Sequence, residues 1–113
     1  MFLLVPSTSP SNVRLSFLEK TEVKVQWNPL SQQHAHGRLL GYRVYYSEYT
    51  SRYYYYSYLG KSVNTSSANV TMVILRDLKE ATTYQIAVAA FTSKGEGPHS
   101  TWIPTATGNT DFL

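Results

Sequence analysis

The sequence of 113 residues contains no cysteine, which excludes a disulfide framework, a cysteine-ligated zinc ribbon and a thiol nucleophile. This absence does not fix the compartment, because a domain of this size can do without disulfides even in an oxidising space. Charged residues make up only 15% of the chain, and no run of like charges points to nucleic acid or to a membrane surface. The longest apolar run falls far below ~18 residues, so no transmembrane segment or direct membrane insertion is predicted.

The chain has instead an ordinary apolar share of 42% and an excess of tyrosine, which accounts for ten residues. A chain of this length fits one domain, which buries roughly two thirds of its unfolded surface and so has enough apolar area for one core. Apolar and polar residues alternate with a period of two. No window of about 11 or more residues keeps the 3.6-residue period of a helix. The sequence therefore predicts an all-β fold.

The alternation predicts about seven strands with polar turns between them. The clearest strand is Thr21–Trp27, in which Val23, Val25 and Trp27 face inward. The other predicted strands are Ser11–Leu18, Leu40–Ser47, Arg52–Leu59, Val70–Leu75, Tyr84–Phe91 and Ser100–Thr107. Polar loops are predicted at 30–38 and 60–68, and a hairpin loop at 92–98. Short strands at such regular spacing are typical of a sandwich of two sheets.

Five segments occur in an order and spacing that match a known family: Pro10–Val13, Val23–Trp27, Gly41–Tyr46, Leu78–Tyr84 and Gly95–Ser100. On these segments, the chain from about Ser9 to Thr107 resembles a fibronectin type III domain. The stretch from Gly37 to Tyr46 is most similar to such domains in neural cell-adhesion molecules and in receptor-type phosphatase ectodomains. One departure is Glu80-Ala81, which stands where the family often has Pro-Gly.

The resemblance implies a seven-stranded antiparallel β-sandwich of the immunoglobulin-like type, with a three-stranded sheet packed on a four-stranded sheet. The first, second and fifth strands are expected in the smaller sheet. Trp27 is expected at the centre of the sandwich because of its large apolar area. Tyr84 suits a tyrosine corner, in which a buried ring sends its hydroxyl back to the backbone. The predicted structural core is completed by Tyr42 and Leu78.

The domain is expected over residues 9–107, with residues 108–113 as a linker. Residues 1–8 are interpreted as a linker from a preceding domain or as an artificial start. The apolar stretch Met1–Val5 is too short for a signal peptide and lacks a basic region before it. Both ends are interpreted as cuts through a longer protein, so neighbouring domains of the same chain are expected partners.

Tyrosines cluster at Tyr49 and between residues 53 and 58. In a strand neighbouring residues alternate faces, so Tyr53 and Tyr55 lie on one side and their tyrosine neighbours on the other. Because tyrosine is enriched in binding surfaces, Tyr45, Tyr53 and Tyr55 are predicted to form a contact patch for a protein partner or for a second copy. The alternative is cross-strand pairing of tyrosines without any partner. Edge-to-edge pairing of this segment in a homodimer also stays open.

Two triplets fit the pattern for N-linked glycosylation, Asn64-Thr65-Ser66 and Asn69-Val70-Thr71. The first lies in a predicted polar loop, where a glycan is easily accommodated. The second lies at a predicted strand start, where the asparagine must point outward. Triplets of this kind also arise often by chance, so both asparagines are candidate sites only if the chain is extracellular.

No group of residues has the spacing of a catalytic or cofactor-binding site. The acidic residues are dispersed along predicted edges and turns, no serine has a nucleophile elbow, and no glycine run resembles a phosphate loop. Loops carrying His34, His36 and His99 share one end of the expected sandwich, so these rings are a candidate metal site. The favoured interpretation is solvated histidines, with no metal and no cofactor.

The resemblance thus implies a non-catalytic protein–protein interaction or cell-adhesion module, repeated in a larger extracellular protein that is membrane-anchored or secreted. Three alternatives stay open from the residues. The first is a passive spacer, and the second is an intracellular copy of the fold. The third is an accessory domain of a secreted carbohydrate-active enzyme, in which the tyrosines of this domain would stack on sugar rings. An engineered binder is disfavoured, because the loops usually diversified in such scaffolds lack the serine and tyrosine bias seen from Ser47 to Ser57.

Overall fold

A computed structural model of the chain describes residues 4–48 and 60–107. Within these ranges the elements are β1 (Arg14–Glu19), β2 (Glu22–Gln26), α1 (Gln32–Ala35), β3 (Gly41–Glu48), β4 (Lys61–Asn64), β5 (Met72–Leu75), β6 (Thr83–Thr92), β7 (Gly95–Glu96) and β8 (Ile103–Ala106). The strand expected at Arg52–Leu59 lies outside the described residues. The described part of the chain contains no helix with the length and apolarity to cross a membrane.

The strands form two antiparallel sheets. The smaller sheet has the order β1-β2-β5, as expected for the first, second and fifth strands. The larger sheet has the order β4-β3-β6-β7, and β8 also pairs with β6. The predicted last strand corresponds to β8, whereas β7 lies within the segment 92–98 that was expected to be a hairpin loop. The described part of this sheet therefore has five strands where four were expected. The prediction of an antiparallel β-sandwich with its first, second and fifth strands in the smaller sheet is confirmed.

Strand β4 occupies a segment that was expected to be a loop, and this expectation was wrong for residues 61–64. The Ser/Asn-rich composition of the segment favours a turn by local propensity. The segment nevertheless pairs along β3, with Arg43 opposite Asn64 and Tyr46 opposite Lys61. Pairing with a partner distant in sequence satisfies the backbone polar groups of β4, so tertiary context overrides the local preference.

The loop between β2 and β3 contains one helical turn, α1, which the sequence did not predict. The turn ends at His36, whose backbone is left-handed with a φ of 57°. Residues 4–7, interpreted above as part of a linker, lie against this loop. The Leu4 amide donates to the His36 carbonyl at 2.9 Å, the Ser7 amide donates to the His34 carbonyl at 2.9 Å, and Pro6 is buried.

The core lies between the inner faces of the two sheets and follows the period-two alternation. Trp27 and Tyr42 are fully buried, and their ring centroids lie 5.3 Å apart in an edge-to-face arrangement. Further buried members come from β2, β3, β5, β6 and the crossover before β6: Val23, Val25, Val44, Leu75, Leu78, Tyr84, Ile86, Val88 and Ala90. The hydroxyl of Tyr42 accepts a hydrogen bond from the Leu30 amide at 2.9 Å. Trp27 and Tyr42 thus both contribute apolar area to the core, and the buried hydroxyl of Tyr42 has a hydrogen-bond partner.

The crossover between β5 and β6 is closed by Leu78 and Tyr84, both of which are buried. The Tyr84 hydroxyl accepts a hydrogen bond from the Lys79 amide at 2.9 Å, which is the geometry of a tyrosine corner. Ala81, in the position where the family often has glycine, has a left-handed φ of 50°. A side chain at this φ costs roughly 1–2 kcal/mol, so the turn keeps its shape at the expense of stability.

Strand β1 buries less than the alternation indicates. Val13 and Leu15 are half-buried, whereas Phe17, which alternation places on the same side, is 53% exposed. Phe17 lies opposite Val23 at the end of an edge strand, and the register shifts between Phe17 and Glu19. Because β1 has only one neighbouring strand, a side chain at its end lacks a second flank of covering residues.

Candidate functional site

The outer face of the larger sheet carries a group of large polar and aromatic side chains. Because Tyr42 and Val44 face the core, alternation directs Arg43 and Tyr45 outward. Arg43 lies opposite Asn64 on β4, and Phe91 on β6 lies opposite Glu96 on β7. We call this group the outer-face cluster, and its members are Arg43, Tyr45, Asn64, Phe91 and Glu96.

Arg43 is held by contacts with three residues of the cluster. Its Nε donates a hydrogen bond to Asn64 Oδ1 at 2.7 Å, and its Nη1 lies 3.5 Å from Glu96 Oε1. The guanidinium carbon lies 5.2 Å from the centroid of the Phe91 ring, within the range of a cation–π interaction. These contacts limit the rotamers of a long side chain that would otherwise lose entropy on binding a partner.

Tyr45 and Glu96 form the second linkage of the cluster. The Tyr45 hydroxyl donates to the Glu96 carboxylate, whose Oε1 and Oε2 lie 2.5 Å and 2.6 Å away. Burial raises the pKa of Tyr45 above its ordinary value, and the hydrogen bond to Glu96 raises this pKa further, while Arg43 acts in the opposite direction. Tyr45 is therefore a neutral hydrogen-bond donor at physiological pH.

Two alanines of β6 form the floor beneath these side chains. Ala87 lies opposite Tyr45 and Ala89 opposite Arg43, and both face outward by alternation. They are nevertheless buried, at 0% and 1% exposure. Small side chains at these positions leave room for the tyrosine ring and the arginine stem to lie over β6.

Of the predicted contact residues, Tyr45 lies in the outer-face cluster, whereas Tyr53 and Tyr55 lie outside the described residues. Neither Arg43 nor Phe91 was predicted as part of a site. Alternation in β3 and β6 was a signal sufficient to place both on the outer face. Glu96 could not be found in this way, because its approach to Tyr45 depends on the hairpin between β6 and β7.

Asn64, the first candidate for glycosylation, is exposed at the end of β4 and belongs to the cluster. The threonine of its triplet is buried, and Thr65 Oγ1 accepts a hydrogen bond from the Tyr42 amide at 3.0 Å. The same hydroxyl donates to the Ser67 carbonyl at 3.0 Å. Thr65 thus has a structural role in the folded chain besides its place in the sequence motif.

Asn69, the second candidate, lies three residues before β5 rather than at the start of the strand. It is exposed, and its amide donates to Ser67 Oγ at 3.2 Å. It also lines an open cavity of about 330 Å³ between the α1 loop and the turn before β5, together with Leu30, Arg38 and Tyr42. The two candidate asparagines therefore lie in different surroundings.

The three histidines do not form a metal site. His34 lies on α1, His36 ends it, and the His99 ring packs on Trp102 with centroids 5.2 Å apart. Nδ1 of His99 donates to the Ser100 carbonyl at 2.6 Å. Across residues 4–48 and 60–107, no three histidine, aspartate or glutamate side chains converge as metal ligands.

A family model described as the fibronectin type III domain matches residues 8–106 of the chain. The chain is 45% identical over 97 residues to the MAM and fibronectin type III domain-containing protein 1 of Acropora millepora, covering 86% of this chain and 22% of that protein. Neural cell adhesion molecule L1.1 of Danio rerio is 36% identical over 104 residues, covering 84% of this chain and 8% of that protein.

Receptor-type tyrosine-protein phosphatase F of Danio rerio is 33% identical over 106 residues, covering 94% of this chain and 5% of that protein. The chain thus spans less than a quarter of each of these relatives. Among solved structures, the third fibronectin III domain of human KIAA0343 protein matches with a TM-score of 0.81 and 28% identity, covering 94% of this chain and 86% of that chain. The predicted resemblance to such domains of adhesion molecules and receptor-type phosphatases is confirmed.

Proposed function

This chain belongs to the fibronectin type III family, and we propose that it serves as a non-catalytic interaction or cell-adhesion module of a larger extracellular or receptor protein. The outer-face cluster is the contact patch in this proposal. The observation that carries it is the arrangement of Arg43, Tyr45 and Phe91, joined by contacts with Glu96 and with one another, on a partly exposed sheet face.

Pre-organisation is the physical argument for binding. Tyrosine, arginine and phenylalanine are enriched in the cores of protein interfaces, and a rigid aromatic residue loses little entropy when it is covered. Arg43 and Glu96 are each about 30% exposed, so part of the charge pair is accessible to a partner. A partner therefore meets side chains that already hold one geometry, which lowers the entropic cost of binding.

The class of partner follows from the chemistry of the surface. A face with one cation, one anion and two aromatic rings offers contacts to another protein surface, and it lacks the run of basic residues that nucleic acid requires. The names of the matched relatives, a neural cell adhesion molecule among them, support an adhesive role for modules of this kind. An extracellular location and glycosylation at Asn64 and Asn69 are part of the proposal.

Tyr53 and Tyr55 enter the proposal on the sequence alone, as an extension of the patch beyond Tyr45. We assign no catalytic role to the cluster, because the carboxylate of Glu96 is already bound by Tyr45 and Arg43. A group held in two such contacts is poorly placed to act as a general base.

The test is self-association and bead clustering of the purified domain produced in bacteria, which carries no glycan. Sedimentation velocity over a concentration series is compared for the parent, Tyr45→Ser, and a control, Lys24→Ser, on the outer face of the smaller sheet. We expect the parent to associate, Tyr45→Ser to weaken association about tenfold or more, and the control to match the parent. Beads coated with the parent are expected to cluster, and beads coated with Tyr45→Ser are not.

A parent domain that stays monomeric at every concentration and does not cluster beads contradicts a homophilic module and favours a passive spacer. Equal association of the parent and Tyr45→Ser places the contact elsewhere and contradicts the outer-face cluster as the patch. Circular dichroism of each variant verifies that the fold is retained.

A further inference from the structure

Asn64 is both a member of the outer-face cluster and the acceptor residue of a glycosylation motif. Its register partner is Arg43, and neighbouring strands lie about 4.8 Å apart, so the asparagine borders the cluster directly. The hydrogen bond from Arg43 Nε uses Oδ1 of Asn64. A sugar is attached to Nδ2, so a glycan leaves that hydrogen bond in place.

The folded chain holds the other half of the motif out of reach. Thr65 is 8% exposed, and its hydroxyl is engaged by the Tyr42 amide and the Ser67 carbonyl. Because the motif requires this hydroxyl, modification has to precede formation of β4 and its pairing with β3. The modification state of Asn64 is therefore set before the outer-face cluster exists and is kept afterwards.

Charge supports a second copy of this chain as the occupant of the cluster. Arg43 and Glu96 place a cation and an anion 3.5 Å apart on one face. A two-fold contact brings the same patch of both copies together, and a patch with both signs of charge is complementary to itself. A patch of one sign would repel its own copy.

We propose that a glycan on Asn64 controls homophilic binding through the outer-face cluster, so that the glycosylated chain is monomeric and the unmodified chain dimerises. This inference rests on the proposed function, since it requires a secreted chain and a self-binding cluster. The glycan is bulky and hydrated, and it projects from the border of a face on which a flat partner must come within contact distance. Binding is lost by steric exclusion.

The covalent step uses a lipid diphosphate-linked oligosaccharide as co-reactant. A bond forms between Asn64 Nδ2 and C1 of the first sugar, and the bond between C1 and the diphosphate oxygen breaks. The amide nitrogen loses one proton to solvent, and the diphosphate leaves with the bonding electron pair. No oxidant or reductant is involved.

The experiment uses the full chain secreted from a eukaryotic cell line as parent, Asn64→Gln and the matched control Asn69→Gln. The control removes the second motif, which lies outside the cluster. Intact mass reports glycan occupancy at each site, and sedimentation velocity reports self-association. We expect the parent to carry a glycan on Asn64. Self-association of Asn64→Gln is expected to be at least about tenfold tighter than that of the parent, and self-association of Asn69→Gln is expected to match the parent.

Tyr45→Ser in the Asn64→Gln background separates this inference from the proposed function. Association of Asn64→Gln that is abolished by Tyr45→Ser supports both. If Asn64 is unmodified in the secreted parent, the inference that a glycan regulates binding is overturned. The role of the cluster as a contact patch is then tested separately by Tyr45→Ser. Equal association of a glycosylated parent and Asn64→Gln overturns the inference as well. Monomers throughout, even without the glycan, overturn the inference together with the homophilic form of the proposed function.

Discussion

The hydroxyl of Tyr45 and the carboxylate of Glu96 are hydrogen-bonded at 2.5 Å, although 51 positions separate the two residues in the sequence. Tyr45 comes from the middle of β3 and Glu96 from the short strand β7, with β6 between them. The linkage spans the sheet above Ala87 and Ala89. It makes two residues that are unrelated in sequence into one surface feature, which also includes Arg43.

The raised pKa of Tyr45 predicts a pH dependence of stability. A group whose folded pKa is raised contributes stability that is present below the unfolded value of 10.0 and is lost as pH rises through the folded pKa. We expect the free energy of unfolding to fall in this alkaline window for the parent and to fall less for Tyr45→Phe. Denaturant unfolding at a series of pH values, with tyrosinate absorbance to follow ionisation, measures the effect.

Lys79 also has a raised pKa, because of its ion pair with Glu48 at 2.8 Å. The pH series is therefore run in a Lys79→Ala background, in which this second contribution is removed. If Tyr45→Phe and its parent keep identical pH profiles in that background, the phenol does not titrate differently in the folded and unfolded chains.

Truncation of the core anchors is expected to destabilise the domain strongly. Trp27→Ala and Leu78→Ala should each cost roughly 3–5 kcal/mol, because each removes a buried side chain and leaves a cavity. The control is Phe17→Ala, whose side chain is 53% exposed, and we expect it to cost under about 1 kcal/mol. Guanidinium unfolding followed by circular dichroism compares the midpoints. Equal midpoints for Trp27→Ala and Phe17→Ala would show that the core is misplaced.

Thr65 allows its structural role to be separated from its place in the glycosylation motif. Thr65→Ala removes a buried acceptor for the Tyr42 amide and should cost about 1–3 kcal/mol. Thr65→Ser keeps the hydroxyl and the motif, so we expect a smaller loss. Thermal unfolding of bacterially produced, unglycosylated protein measures both variants. A result in which Thr65→Ala is as stable as Thr65→Ser would mean that the hydrogen bond contributes nothing.

Ala81 is a position at which a substitution should stabilise the chain. Its φ of 50° is strained for alanine and free of strain for glycine. We expect Ala81→Gly to raise the free energy of unfolding by about 0.5–1 kcal/mol, after allowing for the greater entropy of the unfolded glycine chain. Thr83→Gly in the adjoining strand is the control and should destabilise. A lower midpoint for Ala81→Gly would mean that the turn takes another conformation in solution.

Local pattern was sufficient for the sheet faces but not for every strand. The alternation in β2, β3 and β6 places Trp27 and Val44 inside and Arg43 outside, because successive side chains of a strand point to opposite faces whatever the partner strand is. Strand β4 was missed because its residues, Lys61–Asn64, lie in a Ser/Asn-rich segment without alternation of apolar and polar residues. Its strand conformation comes from the backbone of β3.

The sequence by itself determined the fold class and the two aromatic centres of the core, since these depend on residue type and on a period of two along short segments. The family followed from its resemblance to known domains in five short segments. Only the tertiary structure decided that Asn64 borders Arg43, that the segment expected to be a hairpin loop contains strand β7, and that Glu96 reaches Tyr45. Each of these depends on strand register and on the path of a hairpin. Register is set by pairing between distant segments, so no local run of residues contains it.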